Sequence, residues 1–339
     1  LPSKEDVQEI LLLAKETSHE PFQSEGVKAI PSPVIKSKGS IVSEKNVSAK
    51  DIGIKHIKDF EDAVEWKLDN GIRVIWKSDP EADNLVRMSA FRDGGYSRDL
   101  SLDKIKTLQS FILLYSVADL DNKELARWSS NNSVSVRPDI DYRTEGFKGS
   151  FTPKQAQNFF SLLHLYFTDA NLSVKAVSDR KTLLKRDINT QIRHRSIYND
   201  SVVALRFSHY PLNLKLTNED VERIDREDLI GLFNDVFTGA DDYTFVFSGS
   251  MEPIKAKEYI EKYVATIPKS VTKKGKIGEY KEPIMRRGDV SLIYNPSDVT
   301  STKASVNVLY HSNSKYGVEE NLLVKFVTYI LRDRYMQSI

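Results

Sequence analysis

The chain has 339 residues, of which 40% are hydrophobic and 29% charged, as in a globular protein of one large domain or two ordinary ones. Its 49 Lys and Arg against 48 Asp and Glu leave a formal net charge of +1, so no long-range field draws it to nucleic acid or an anionic membrane. Cysteine is absent, which excludes disulfides, thiolate metal sites and cysteine nucleophiles together, and no apolar run reaches membrane-spanning length.

Leu1-Pro2-Ser3 reads as an excised start rather than a signal peptide. Residues 3–16 then predict a short amphipathic helix, with Ser3 as N-cap and Val7, Ile10, Leu11 and Ala14 on one face. Residues 17–62 are polar and rich in Ser, Lys and Pro, as in a linker crossing a surface. From Val64 the texture changes. Val64-Glu-Trp-Lys-Leu68 alternates, Asp69-Asn70-Gly71 makes a tight turn, and Ile72-Arg-Val-Ile-Trp76 returns, a β-hairpin pattern. Leu85–Phe91 is a further strand, with Val86, Met88 and Ala90 on one face and Gly94-Gly95 closing it.

A helix is predicted from about Asp103, with Ile105, Leu108, Ile112 and Leu113 on one stripe and the run Phe111–Tyr115 buried. A short helix follows at 122–129, then strands at Ser133–Val136 and Thr144–Phe151. Helical patterns cover 153–168, 174–193, 199–209 and 226–237. Tyr243–Phe247 reads as a central strand ended by Gly249. A helix from Glu252 to Ala265 stops before Pro268, and Lys269–Lys281 is a second linker.

Beyond it the first pattern returns. An offset of 218 residues carries Val74-Ile75-Trp76 onto Leu292-Ile293-Tyr294, and Val86/Met88/Ala90 onto Ala304/Val306/Val308. It also carries Leu108 onto Phe326 and Ile112-Leu113 onto Ile330-Leu331. Two strands and a helix in one register favour duplication. The fold class is therefore α+β: tandem homologous domains, each an antiparallel sheet with helices packed on one face, the second copy stopping at Ile339 within its first long helix. The boundaries read as a helix and linker at 1–62, a domain at 63–270, a linker at 271–283 and an incomplete domain at 284–339. The stripe of Leu323, Phe326, Val327 and Ile330 needs a cover, either the first domain or a second copy of the chain in a homodimer.

Several segments resemble the pitrilysin/insulinase family of zinc metallopeptidases. Trp66–Trp76 resembles the opening hairpin of its domains. Ser89-Ala-Phe-Arg-Asp-Gly-Gly-Tyr96 resembles the strand that follows. Ile224-Asp225 with Phe233–Phe237, the strand Phe245-Val-Phe-Ser-Gly249 and the ending Tyr263–Pro268 are similar to later family segments in the same order. The likeness covers about Val64 to Ile339 and is nearest to bacterial single-chain members with four homologous domains. It implies a clam-shell of two halves. The N-terminal half would carry zinc on an inverted His-x-x-Glu-His motif, and this chain would be the C-terminal half that closes the chamber over a peptide. Residues 1–62 would connect the halves, 63–270 would be the third domain, and 284–339 the opening of the fourth. An Arg and Tyr that hold substrate would lie just past Ile339. Single-chain bacterial relatives are often exported, which implies a periplasmic setting.

The residues themselves carry no zinc chemistry. Two imidazoles one helical turn apart, with a carboxylate to take the water proton, are what a zinc peptidase needs. The six histidines, His19, His56, His164, His194, His209 and His311, include no two within five residues of each other. The helix in the family's zinc position, Lys104–Val117, holds no His and no Glu. His164 reads as a packed helix histidine. His194 sits on a basic helix end, and an Asp187–His194 metal pair is the weaker reading of it. Lys185–Arg195 reads as a solvated helix face, and no glycine-rich phosphate loop or nucleophile elbow is present. No catalytic or metal-binding residue is assigned, and the substrate-binding residues stay unknown. By the resemblance, zinc belongs to the N-terminal half of the same polypeptide, and a peptide is the substrate. The alternative is a scaffold or binding subunit of this fold whose parent has no zinc site.

Overall fold

The computed structural model describes residues 55–56, 63–96, 102–141, 143–189, 202–210, 216–270, 284–291, 293 and 317–338. The helix predicted at 3–16, most of both linkers and the strands predicted around 292 and 304–308 lie outside them. The chain divides into two compact units, residues 1–180 with 224–278 and residues 181–223 with 279–339.

The first unit is built on a seven-stranded sheet. Its strands are β1 (Lys55–His56), β2 (Ala63–Lys67), β3 (Arg73–Ser78) and β4 (Val86–Asp93), then β6 (Val134–Ile140), β7 (Thr144–Phe151) and β10 (Thr244–Gly249), in the spatial order β1-β2-β3-β10-β4-β7-β6. All pairs are antiparallel except β10 with β3, because the late strand β10 inserts between the early β3 and β4. The turn Asp69-Asn70-Gly71 joins β2 to β3, and Gly71 takes φ +98°, which suits a residue without a Cβ. Asn70 does more than turn. Its buried amide donates to the carbonyls of Val264 (2.9 Å) and Ile267 (3.0 Å), tying the hairpin to the far end of the domain's last helix.

Among the described residues, helices cover one face of the sheet. They are α1 (Leu102–Phe111), α2 (Asn122–Asn131), α3 (Ala156–Thr168), the start of α4 (Val174–Asn189), α6 (Arg226–Phe237) and α7 (Pro253–Tyr259), the last continued by a wider turn over Ile260–Val264. Alternation on β4 sends Val86, Met88, Ala90 and Arg92 toward the helices. The core is largely aromatic. Trp76 stacks on Phe247 with centroids 4.7 Å apart, Phe159 lies 4.3 Å from Phe151, and Phe147 lies against Phe167 at 4.9 Å. The Trp76 indole donates to Met251 O at 2.8 Å, so its one polar atom is satisfied inside.

Three elements depart from the sequence expectation. The helix predicted as Lys104–Val117 is α-helical only to Phe111. It tightens to a 3-10 turn at Ile112–Leu114 and yields to β5 (Ser116–Val117), which pairs with β8 (Ala170–Asn171). Leu108 and Phe111 are buried, but Leu113 is 70% exposed, so the run Phe111–Tyr115 is not one buried face. The side chain of Ile105 lies outside the described residues. The reason is Tyr115, whose buried hydroxyl donates to Leu229 O at 2.7 Å and whose ring lies 4.5 Å from Phe233. That anchor holds the chain in extended geometry just where an α-helix would need to continue. Second, β6 runs past Val136 through Pro138, which an edge strand tolerates because an outward N–H is not needed.

Third, 199–209 is not one helix. In the second unit residues 202–206 are helical, and β9 (Phe207–His209) then pairs with β11 (Ile284–Met285), with Phe207 stacked on Tyr210 at 4.8 Å. The second unit also holds α5 (Asn218–Arg223), which the sequence reading passed over. Thr217 and Asp220 cap it reciprocally, the Thr217 hydroxyl accepting from Asp220 N (3.1 Å) and the Asp220 carboxylate from Thr217 N (2.8 Å). Lys185 on α4 pairs with Glu222 of this helix, and Arg186 and Asp187 beside it face solvent. Finally α8 (Val318–Ser338) contains the residues that the 218-residue offset aligns with α1. The two differ in burial: Leu108 is fully buried, while its counterpart Phe326 is 65% exposed.

The polar centre of the sheet's covered face is an ion pair between Arg92 and Glu145, register partners on β4 and β7. Replacing Arg92 with Ala leaves the Glu145 carboxylate buried without its cation, which should cost about 3–5 kcal/mol in urea unfolding. The double change Arg92→Met with Glu145→Leu should cost less than that single one.

Candidate functional site

The segment from β4 through α1 is where the sequence resemblance would put a metal centre. Gly94 and Gly95 end β4, both with positive φ. A Cβ on Gly94 would collide with the Glu145 carboxylate, whose second oxygen accepts from Gly95 N at 3.2 Å. The glycine pair is therefore fixed by packing against a buried acid. Next, the Tyr96 amide donates to Asp141 O at 2.9 Å, and the Tyr96 side chain hydrogen-bonds Gln109 on α1. Burial pushes the Tyr96 phenol up to about 12; the Gln109 hydrogen bond works against this, and the nearby charges of Asp139 and Asp141 add to it. A phenol so placed stays protonated at neutral pH and cannot serve as a base. Tyr115 and Tyr166 are pushed further in the same direction by burial alone.

The outward side of α1 and the following turn therefore offers Lys104, Gln109 and Leu113. None of these is a ligand for zinc. Among the described residues no group of three or more His, Asp or Glu is placed to hold a metal ion.

The histidines are scattered. His56 lies in β1 opposite Val64, and His209 ends the exposed strand β9 of the second unit. His19, His194 and His311 lie outside the described residues, so the Asp187–His194 pairing has only its Asp187 side here, exposed and 3.5 Å from Arg186. His164 sits on α3, half-buried, with the Thr168 hydroxyl 3.3 Å from its Nδ1 and donating to its own carbonyl at 2.9 Å. Burial holds its pKa below the ordinary value of 6.5, partly opposed by a hydrogen bond to the Thr266 backbone. This is a packed helix histidine.

The remaining family-like segments have structural explanations. Asp225 is the N-cap of α6, its carboxylate accepting from Glu227 N at 2.9 Å. At the other end of α6 the Arg92 guanidinium donates to the carbonyls of Val236 (2.6 Å), Gly239 (3.1 Å) and Thr238 (3.2 Å), and lies 4.6 Å from the Tyr243 ring centre. Arg92 and Glu145 escaped the sequence reading. The signal available was a charge at an inward-facing position of β4, in phase with Val86, Met88 and Ala90.

With this geometry in place, the comparisons with known proteins are informative. No protein-family model matches the chain. It is 22% identical over 284 residues to the probable zinc protease PqqL of Haemophilus influenzae, a match that takes in 81% of this chain and 29% of that protein. The chain thus spans about three-tenths of the length of the curated relative it matches. The periplasmic protease PqqL from Escherichia coli shares the fold with a TM-score of 0.60 and 16% identity, over 86% of this chain and 31% of that one. The ferredoxin protease FusC, solved in complex with Arabidopsis ferredoxin, gives 0.56 and 17%, over 84% and 30%. A peptidase M16 inactive domain from Pseudomonas fluorescens gives 0.51 and 11%, over 68% and 55%. The resemblance read from the hairpin, the Gly-Gly strand and the Phe245–Gly249 strand is thereby shown. The similar proteins are a probable zinc protease, further proteases and an inactive M16 domain, and the chain has their α+β fold. No described helix is long and apolar enough to cross a membrane.

The lowered pKa of His164 sets a pH response. Between its folded value and about 6.5 the unfolded chain binds more protons than the folded one, so stability falls as pH drops through that window. Urea midpoints measured from about pH 7.5 down to about pH 5.5 should decline, and the His164→Gln variant should decline less.

Proposed function

We propose that this chain is a non-catalytic portion of a zinc metallopeptidase, the C-terminal half that closes a chamber over a peptide and guides it, while every zinc ligand comes from the N-terminal half of the same polypeptide. One observation carries the proposal. The chain has the fold of these proteases, yet the helix in the metal position, Leu102–Phe111, carries neither imidazole nor Glu. A zinc-bound water needs that pair of imidazoles and a carboxylate to be made and deprotonated, so hydrolysis would depend on residues elsewhere. Residues 63–270 would form the third domain of the parent, 284–339 the start of the fourth, and 1–62 and 271–283 the connections. The exposed apolar face of α8, with Leu323, Phe326 and Ile330, supports the reading, since it is a surface that a neighbouring segment or a second copy would cover. A periplasmic setting accords with the periplasmic PqqL protease whose fold the chain shares.

A second reading has support from the inactive M16 domain of Pseudomonas fluorescens: a scaffold or binding subunit whose parent has no zinc site at all. Hydrolysis of a quenched fluorescent peptide in the presence of zinc separates the two. The first reading predicts silence from this chain alone and from the N-terminal half alone, with activity when the N-terminal half is mixed with a version of this chain carried through the end of the fourth domain. Turnover by this chain alone would overturn it. Silence of the mixture would put the scaffold ahead.

A further inference from the structure

Among the described residues the helices cover one face of the seven-stranded sheet; the other carries the intervening side chains. On that open face Lys67, Lys77, Arg87 and Arg137 are exposed. None of these four makes an ion pair or side-chain hydrogen bond among the described residues. Two more cations on the face are already matched in place, Arg73 by Glu65 and Lys148 by Asp139, the latter at 2.8 Å. Asp93 is the remaining acid on these strands' open side. Lys77 and Arg87 are both register partners of Ser248, one on each side of β10. Two strand spacings put their backbones roughly 10 Å apart. Between the cations lies an apolar centre, with Ile75 beside Val246 across β3 and β10, and Phe91 39% exposed on β4.

A chain of net charge +1 has thus gathered unmatched positive charge on one flat, partly apolar surface. We propose that this open sheet face is a binding surface for an acidic polypeptide segment, one that carries carboxylates on either side of an apolar side chain. Charge complementarity commits it to that partner. Carboxylates can be placed one by one against Lys77, Arg87 and Arg137, while the apolar residue covers Ile75 and Val246. A phosphate backbone is a poorer match. Its uniform charge would meet Asp93 and Asp139 among the cations, and Phe91 alone is not a stacking platform. The proposal concerns binding by this chain itself, so it holds or fails apart from the peptidase reading.

The test uses the full 339-residue chain and a labelled peptide of repeated Glu-Glu-Leu, followed by fluorescence anisotropy with no cleavage required. The peptide is expected to bind, and to bind more weakly at about 300 mM than at about 50 mM salt. Lys77→Glu with Arg87→Glu should weaken binding at least about tenfold, and Arg137→Glu, on a different strand, should weaken it in the same sense. Lys123→Glu with Arg127→Glu makes the same change in net charge on α2, on the opposite side of the sheet, and should leave affinity within about twofold. All these side chains are exposed, and thermal melts would confirm that each variant folds. Three results would overturn the proposal: no binding of the acidic peptide, equal weakening by both charge-reversal pairs, or tighter binding of single-stranded DNA than of the peptide at the same residues.

Discussion

The buried pair of Arg92 and Glu145 is the constraint on which the domain's arrangement depends. One guanidinium joins three things that are far apart in sequence. It pairs with Glu145 on the neighbouring strand, donates to the carbonyls of Val236, Thr238 and Gly239 at and just past the end of α6, and lies against the ring of Tyr243 that leads into β10. A charge taken out of water needs its hydrogen bonds completed, so each partner is fixed once the others are. The carbonyl end of α6 also carries the negative pole of the helix, which a cation there offsets. Glu145 in turn explains the glycine pair after β4, since the carboxylate occupies the space where a Cβ of Gly94 would sit. The strand-ending glycine pair is thus tied to the packing of a buried acid.

Much of the fold was legible because it rests on period and punctuation. The β2–β3 hairpin, the inward face of β4 and the helices α3 and α6 follow directly from alternation, from helical spacing and from Asp-Asn-Gly. What was not legible depends on distant partners. Nothing local in Phe111–Tyr115 says that Tyr115 will donate to Leu229, and that bond ends the helix early and turns Leu113 outward. Nor does Asn70 announce that its amide will reach Val264 and Ile267, nearly two hundred positions on. The short helix Asn218–Arg223 is a different case. Its Thr217–Asp220 cap was present in the sequence and was overlooked beneath a weak apolar pattern.

Where the resemblance would put a metal centre, the helix Leu102–Phe111 carries neither His nor Glu. What stands there is a neutral tyrosine held by Gln109, a lysine, and an exposed leucine. The sheet and its covering helices share the fold of these proteases, while among the described residues no group of three or more His, Asp or Glu is placed to hold a metal ion. One architecture can carry different chemistries, because function rests on the residues of a site and not on the fold. On the open sheet face Lys67, Lys77, Arg87 and Arg137 stand exposed without side-chain partners among the described residues.

The measurement that bears most directly on the central claim is zinc stoichiometry, by equilibrium dialysis of the purified chain followed by metal analysis. The account predicts no stoichiometric zinc, because two imidazoles and a carboxylate are not brought together among the described residues. One tightly bound equivalent per chain, abolished by substituting a single histidine, would contradict it and restore a metal site to this segment.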